Sequence, residues 1–153
     1  MKNSVLTYQW CSGFYPPHVS YGQVRTFLRN TSSFVSDRVG YVLNVVVARF
    51  VDEDEGRALN LSFRGKDYPT NVLTFGYQES GSYNADIILC VPVVWQESVL
   101  QGKVLNHHYA HLLVHGFLHA YGFDHEEHHE AEVMEDLERK ILHQMSFPDP
   151  YRD

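Results

Sequence analysis

His115 and His119 stand four residues apart, with His125 further on, in the stretch His115-Gly116-Phe117-Leu118-His119-Ala120-Tyr121-Gly122-Phe123-Asp124-His125. On a helix the first two imidazoles share a face one turn apart, about 6 Å along the axis, a spacing at which two side chains can grip one ion. A continuing helix would carry His125 about 15 Å beyond His115, so the third imidazole can join only if the helix stops and turns back. Gly122 stands where a left-handed C′ residue would end the helix after Tyr121, a conformation that costs glycine almost nothing. Three neutral imidazoles with an open fourth position make a catalytic zinc arrangement; structural zinc usually has four protein ligands, mostly cysteines. Nine of the ten histidines lie at or after His107, so a His-rich surface tail is the competing explanation. Histidines scattered at random would seldom fall at i, i+4 and i+10 with a glycine at the helix stop.

The string H-G-x-L-H-x-x-G-x-D-H is complete at residues 115–125. It resembles the motif of the YbeY family of zinc-dependent endoribonucleases, the rRNA maturation factors of bacteria. His111 lies on the same line of the helix, and by spacing alone His111 with His115 is as good a pair as His115 with His119. Only the second pair leaves a short return loop to His125, and the resemblance implies the same choice: His115, His119 and His125 on one Zn2+. His111 is then a hydrogen-bonding histidine behind the ligands. His107, His108, His128, His129 and His143 are expected to be exposed.

Zinc proteases of the metzincin group carry H-E-x-x-H-x-x-G-x-x-H in the same register. Where they place the glutamate that takes a proton from the metal's water, this chain has Gly116, which carries no base. Peptide hydrolysis by that route is disfavoured. Phosphodiester cleavage asks less of the protein, because a metal can itself lower the pKa of water to about 7 and polarise a phosphoryl oxygen. Asp124, beside the third histidine, either orients an imidazole or assists proton transfer, or hydrogen-bonds backbone in a turn.

A second stretch, Leu61-Ser62-Phe63-Arg64-Gly65-Lys66-Asp67-Tyr68-Pro69-Thr70-Asn71-Val72-Leu73-Thr74-Phe75, resembles the YbeY segment that holds an arginine near the metal cleft, followed by a T-D-V-L-S-F strand. Arg64 matches that arginine, and its planar, permanently charged fork suits a phosphate. The chain departs from the family at Asn71 and Thr74, where aspartate and serine are usual; Asn71 can neither act as a base nor counter a cation. Ala85-Asp86-Ile87 stands where G-D-I is typical, and Ala120 and Tyr121 replace common leucines. The resemblance runs from about Leu61 to Leu142.

At 153 residues the chain suits a single domain spanning 1–153. Its hydrophobic content of 44% is that of a globular protein, and its longest apolar run, Ile87 to Trp95, is too short to cross a bilayer. A soluble, cytoplasmic protein with no membrane partner is expected. Cys11 and Cys90 show no CxxC spacing and read as buried small hydrophobes. The net charge of −7 argues against an indiscriminate nucleic-acid binder. Residues 1–50 nevertheless hold Lys2, Arg25, Arg29, Arg38 and Arg49 against Asp37 alone, five minus one or +4, which allows one basic surface.

The elements that must position the site follow from periodicity. Ser4 to Trp10 alternates as a strand, and Tyr21 to Phe34 carries Val24, Phe27, Leu28 and Phe34 at helical spacing. Gly40 to Phe50 is β-branched and nearly continuous, as in a central strand buried on both faces. Asp52 and Glu55 form a D-x-x-E capping pair for a short helix through Ala58 and Leu61, which would cross to the next strand in a βαβ unit. Asn71 to Tyr77 and Ala85 to Val91 read as an antiparallel pair joined by Gln78-Glu79-Ser80-Gly81-Ser82. Helical patterns follow after Pro92, with Val94, Val99 and Leu100, from Val104 to Tyr121, and from Glu126 to Met145, the last with a Met-Leu stripe toward the core and its acids outward. Together these predict an α+β fold: one small mixed sheet of about four strands packed with helices, a metzincin-like zinc helix, and a cleft between that helix and Arg64.

The resemblance implies a metal-dependent endoribonuclease acting on single-stranded RNA, with Arg64 on the scissile phosphate. It implies ribosomal RNA near the small-subunit terminus as substrate, small-subunit ribosomal proteins as partners, and a part in ribosome quality control. The alternatives are another zinc hydrolase, a peptidase or phosphoesterase, and a ribosome-assembly factor whose metal is structural.

Overall fold

The computed structural model describes residues 4–10 and 18–152. Cys11 lies outside the described residues. Strand β1 (Val5–Trp10) is followed by helix α1 (Tyr21–Val39), strand β2 (Val45–Val51) and helix α2 (Glu53–Arg64). Strands β3 (Val72–Glu79) and β4 (Ser82–Cys90) precede three helices, α3 (Val91–Leu100), α4 (Leu105–Ala120) and α5 (His128–Gln144). The sheet runs β1-β2-β4-β3, with β1, β2 and β4 parallel and β3 antiparallel to β4. The mixed four-stranded α+β fold is the one the periodicity predicts, and the valine-rich β2 is an interior strand.

The βαβ unit is misplaced by one strand. β2 and β3 are not neighbours; α2 leads to the far edge, and the Ser80-Gly81 turn, both residues at positive φ, folds β4 back beside β2. Two residues in the left-handed region suit a two-residue hairpin, which pairs β3 and β4 antiparallel, and it is β4 that lies parallel beside β2. The parallel unit with adjacent strands is β1-α1-β2. α1 also outruns its expected end at Phe34, reaching Val39, where the Gly40 N–H bonds the Ser36 carbonyl, so the strand begins only at Val45.

One face of the sheet, carrying Val46, Ala48, Phe50, Ala85, Ile87 and Leu89, packs with Val24 and Phe27 of α1, Leu113 and Phe117 of α4, and Met134 and Ile141 of α5. Each of these fully buried Val, Leu, Ile, Phe and Met side chains stabilises the fold by roughly 1.5–3 kcal/mol. A smaller cluster, Val51, Leu73, Ile88 and Cys90 with Leu59 and Phe75, lies where α2 meets the sheet. Burial pushes the Cys90 thiol up to about 11, so this cysteine behaves as the inert small hydrophobe expected. At the start of α2, Asp52 accepts the Glu55 N–H at 2.8 Å, but only half of the capping pair forms. The Glu55 carboxylate turns instead to Arg49, with contacts of 2.6 and 2.8 Å. Val99 and Leu100 of α3 are exposed despite their helical spacing. No helix among the described residues is long and apolar enough to cross a membrane.

Candidate metal centre

α4 lies between the sheet, α1 and α5 and is buried over much of its surface, while His115 and His119 stay half-buried. His115 and His119 emerge one turn apart. The helix then ends as the glycine predicts: Gly122 takes φ +93°, its N–H bonds the His119 carbonyl at 2.9 Å, and the Phe123 N–H bonds the Leu118 carbonyl at 3.1 Å. This paired bonding, a Schellman ending, reverses the chain. Asp124 accepts the His125 N–H at 2.7 Å and so holds the turn through backbone. His125 returns to its partners: the ring centroids are 4.5 Å apart for His115 and His119, 5.3 Å for His115 and His125, and 4.9 Å for His119 and His125. One ring nitrogen from each lies within 4.8 Å of the others. His119 is held well below the usual histidine range, at about 4, by burial first and then by the neighbouring His115 and His125, so its ring stays neutral and keeps a lone pair. An all-imidazole set of this kind fits a tetrahedral zinc site with one position left over.

Behind the trio stands Glu138 of α5, fully buried. Its Oε1 lies 2.8 Å from His115 Nδ1 and its Oε2 lies 2.8 Å from His111 Nε2, while the Tyr151 hydroxyl also donates to Oε2. A carboxylate can only accept, so His115 carries its proton on Nδ1 and turns a bare Nε2 outward. His111 likewise donates from Nε2 and leaves Nδ1 bare and buried, with no partner among the described residues. His111 is thus the hydrogen-bonding histidine expected, sharing the Glu138 carboxylate with His115. Burial alone would raise the Glu138 pKa; the hydrogen bonds and charges of His111 and His115 outweigh it and hold the carboxyl at about 2. Sequence reading assigned the acids of α5 to solvent and missed Glu138. The available signal was its position, four after Met134 and three before Ile141, within the core stripe.

His107, His108, His128, His129 and His143 were grouped as exposed, and for His108 this is wrong. It is 4% exposed, and its Nε2 lies 2.9 Å from Glu97 Oε1. The same carboxylate accepts from the Asn71 amide at 3.0 and 3.3 Å. Burial would raise the Glu97 pKa, but these two hydrogen bonds hold it down. This accounts for one departure from the family pattern: an aspartate at position 71 would face Glu97 with like charge, whereas the amide donates to it. His107 is half-buried with its ring edge-on to Phe147 at 5.6 Å, and His128, His129 and His143 are exposed.

The trio opens into a cleft of ≈ 550 Å³ that follows the edge strand β3. His115, His119 and His125 form one bank; Arg64, from the last residue of α2, lines the other, with Asn71, Thr74 and Phe75 between. Arg49 and Arg57 are each forked onto a carboxylate, of Glu55 and Asp67, whereas Arg64 makes no ion pair among the described residues. Asp86 pairs across the strands with Phe75 and does not line the cleft.

Gly116 has a packing reason beyond the absence of a base. A Cβ there would sit 3.1 Å from Ile87 Cγ2, 3.3 Å from Thr74 Oγ1 and 3.5 Å from Val72 Cγ2, because α4 is pressed against β3 and β4 at this point. A glutamate in the metzincin position would have to push these side chains aside.

The chain is similar to known proteins over most of its length. A family model described as Endoribonuclease YbeY matches residues 19–146. Endoribonuclease YbeY of Paraburkholderia phymatum is 59% identical over 108 residues, which is 69% of this chain and 71% of that protein. Endoribonuclease YbeY of Paraburkholderia phytofirmans is 60% identical over 109 residues, covering 70% and 71%. A Thermotoga maritima protein solved in solution shares the fold, with a TM-score of 0.58 at 22% identity over 97% of this chain and 100% of that one. With the family match spanning Arg64, the three converging histidines and the buried Glu138 alike, the chain belongs to the endoribonuclease YbeY family.

Proposed function

We propose that this chain is a zinc-dependent endoribonuclease that cleaves single-stranded RNA in the maturation of small-subunit ribosomal RNA. His115, His119 and His125 hold the metal and Arg64 holds the scissile phosphate. The observation that carries the reading is the convergence of three imidazoles in one cleft with an arginine that has no carboxylate partner among the described residues. The activity and its ribosomal substrate follow from family membership, as do the finer expectations of a cytoplasmic site, small-subunit ribosomal proteins as neighbours and a part in ribosome quality control.

A bound zinc ion supplies Lewis acidity and lowers the pKa of its water to about 7. The chain's own residues do the rest. Glu138 fixes the tautomer and direction of His115, and the turn after Gly122 sets His125. The guanidinium of Arg64 can take two phosphate oxygens at once, orienting the phosphodiester and offsetting charge that develops on it. Gly116 stands where the proteases place their glutamate, so the peptidase alternative has no base at that position. A purely structural metal is a poor match to three ligands beside an open cleft.

The test uses protein purified without a histidine tag, assayed for metal by elemental analysis and for cleavage of a single-stranded RNA. One zinc per chain is expected, lost together with cleavage in His119→Ala. Arg64→Ala should lower cleavage by about 10²-fold or more while the metal stays at full stoichiometry. A His119→Ala protein that keeps both metal and activity would overturn the assignment; loss of metal in Arg64→Ala would show that the arginine holds the fold of the site and not the phosphate.

A further inference from the structure

We infer that the exposed ring of Phe63, backed by Phe75, is a stacking platform for the base of a nucleotide next to the phosphate held by Arg64. The inference rests on the endoribonuclease reading and deepens it, because it places the base as well as the backbone.

Phe63 is 64% exposed, more than any other Phe, Tyr or Trp among the described residues. Phenylalanine has no polar handle that would gain from water, so such exposure at the mouth of a cleft calls for a partner. The ring is not loose on the surface: its centroid is 4.8 Å from that of Phe75, with the planes inclined at 52°. Phe75 is itself half-buried against the cluster of Val51, Leu73, Ile88 and Cys90, which gives the pair a fixed base. Phe75 lines the same cleft as Arg64 and the three histidines, and Phe63 precedes Arg64 on the last turn of α2.

Charge and shape select the occupant. Arg64 takes an anion, and an apolar ring face beside it takes a flat, uncharged group; a nucleotide of an unpaired strand presents both, as phosphate and base. A base in a duplex is already stacked, so the platform favours single strands. It is tolerant of sequence, because every base has a π-face. An apolar peptide side chain or a second copy of this chain would use the rings without needing Arg64.

The test measures binding of a phosphorothioate-linked single-stranded RNA octamer, which resists cleavage, to the zinc-loaded full chain by fluorescence anisotropy. Phe63→Ala and Phe63→Leu should weaken binding about 5- to 100-fold, and Phe63→Trp should restore it. The slope of log affinity against log salt should not change in these variants, but should fall by about 0.7 in Arg64→Ala, which removes a phosphate contact. Octamers with one base deleted at a time should show a single position at which wild type loses affinity and Phe63→Ala does not. Because Phe63 is largely exposed, its variants should melt as wild type does. Wild-type affinity in Phe63→Ala, equal binding by Leu and Phe, or a change of oligomeric state in place of RNA affinity would each overturn the platform. Ring-dependent binding by a protein that cleaves no RNA when fully loaded with metal would keep the platform and remove the nuclease reading.

Discussion

Glu138 is the residue on which the site's geometry turns, although it lies outside the trio. Its two oxygens face ring N–H donors on His115 and His111, and a third donor comes from Tyr151. Glu138→Gln keeps the volume but brings an NH2 group against a donor. One histidine must then change tautomer, and if it is His115 the lone pair for the metal is lost. Zinc affinity measured by chelator competition should fall about 10- to 100-fold, with the metal-free fold retained. Unchanged affinity would show that Glu138 only fills space. The same carboxyl should mark the pH profile of the metal-free protein. Its folded pKa of about 2 lies below the ordinary 4.5, so its contribution is complete above about pH 4.5 and fades as pH falls toward 2. Urea titrations should therefore show wild type losing on the order of 3 kcal/mol across that window, and Glu138→Gln losing much less.

At the scale of elements, the decisive contact is α4 against the edge of the sheet. Gly116→Ala should gain up to about 1 kcal/mol of helix propensity but force a Cβ to 3.1 Å from Ile87, where overpacking costs about 1–3 kcal/mol. The net expectation is a destabilisation of about 1 kcal/mol, read as a lowered urea midpoint. Activity should fall further than stability does, because His115 precedes residue 116 and would move with the helix. A variant more stable than wild type and fully active would mean that α4 has slack. How much of this was legible divides by the reach of the contact. The span of α4, the stop at Gly122 and the return of His125 were readable because each depends on residues within one or two turns of each other. Gly116 was readable as a missing base, but its tight fit involves Ile87 and Thr74, which only tertiary packing brings near. Glu138 and His108 were misjudged for one reason: hydropathy patterning sends charged and polar side chains outward unless a partner is known, and their partners lie on other helices. The βαβ unit slipped because turn chemistry at Ser80-Gly81 fixes a hairpin but not which strand the hairpin lies beside.

For the whole molecule, the site bridges the end of α4, the turn through residues 121–127 and, through Glu138, helix α5. Metal binding should therefore feed into global stability by linkage. At zinc a thousandfold above its Kd the gain is about 4 kcal/mol, or roughly 8–16 °C in Tm for a domain of this size. His125 separates this effect from packing, because it is exposed and sits beside the other two rings. His125→Ala should melt with the metal-free wild type when both are stripped, and should gain far less from added zinc. Differential scanning calorimetry with and without chelator checks both arms. A wild-type Tm that ignores a saturating chelator would mean that the three imidazoles hold no ion, whereas a stripped His125→Ala well below stripped wild type would make the turn a structural element in its own right.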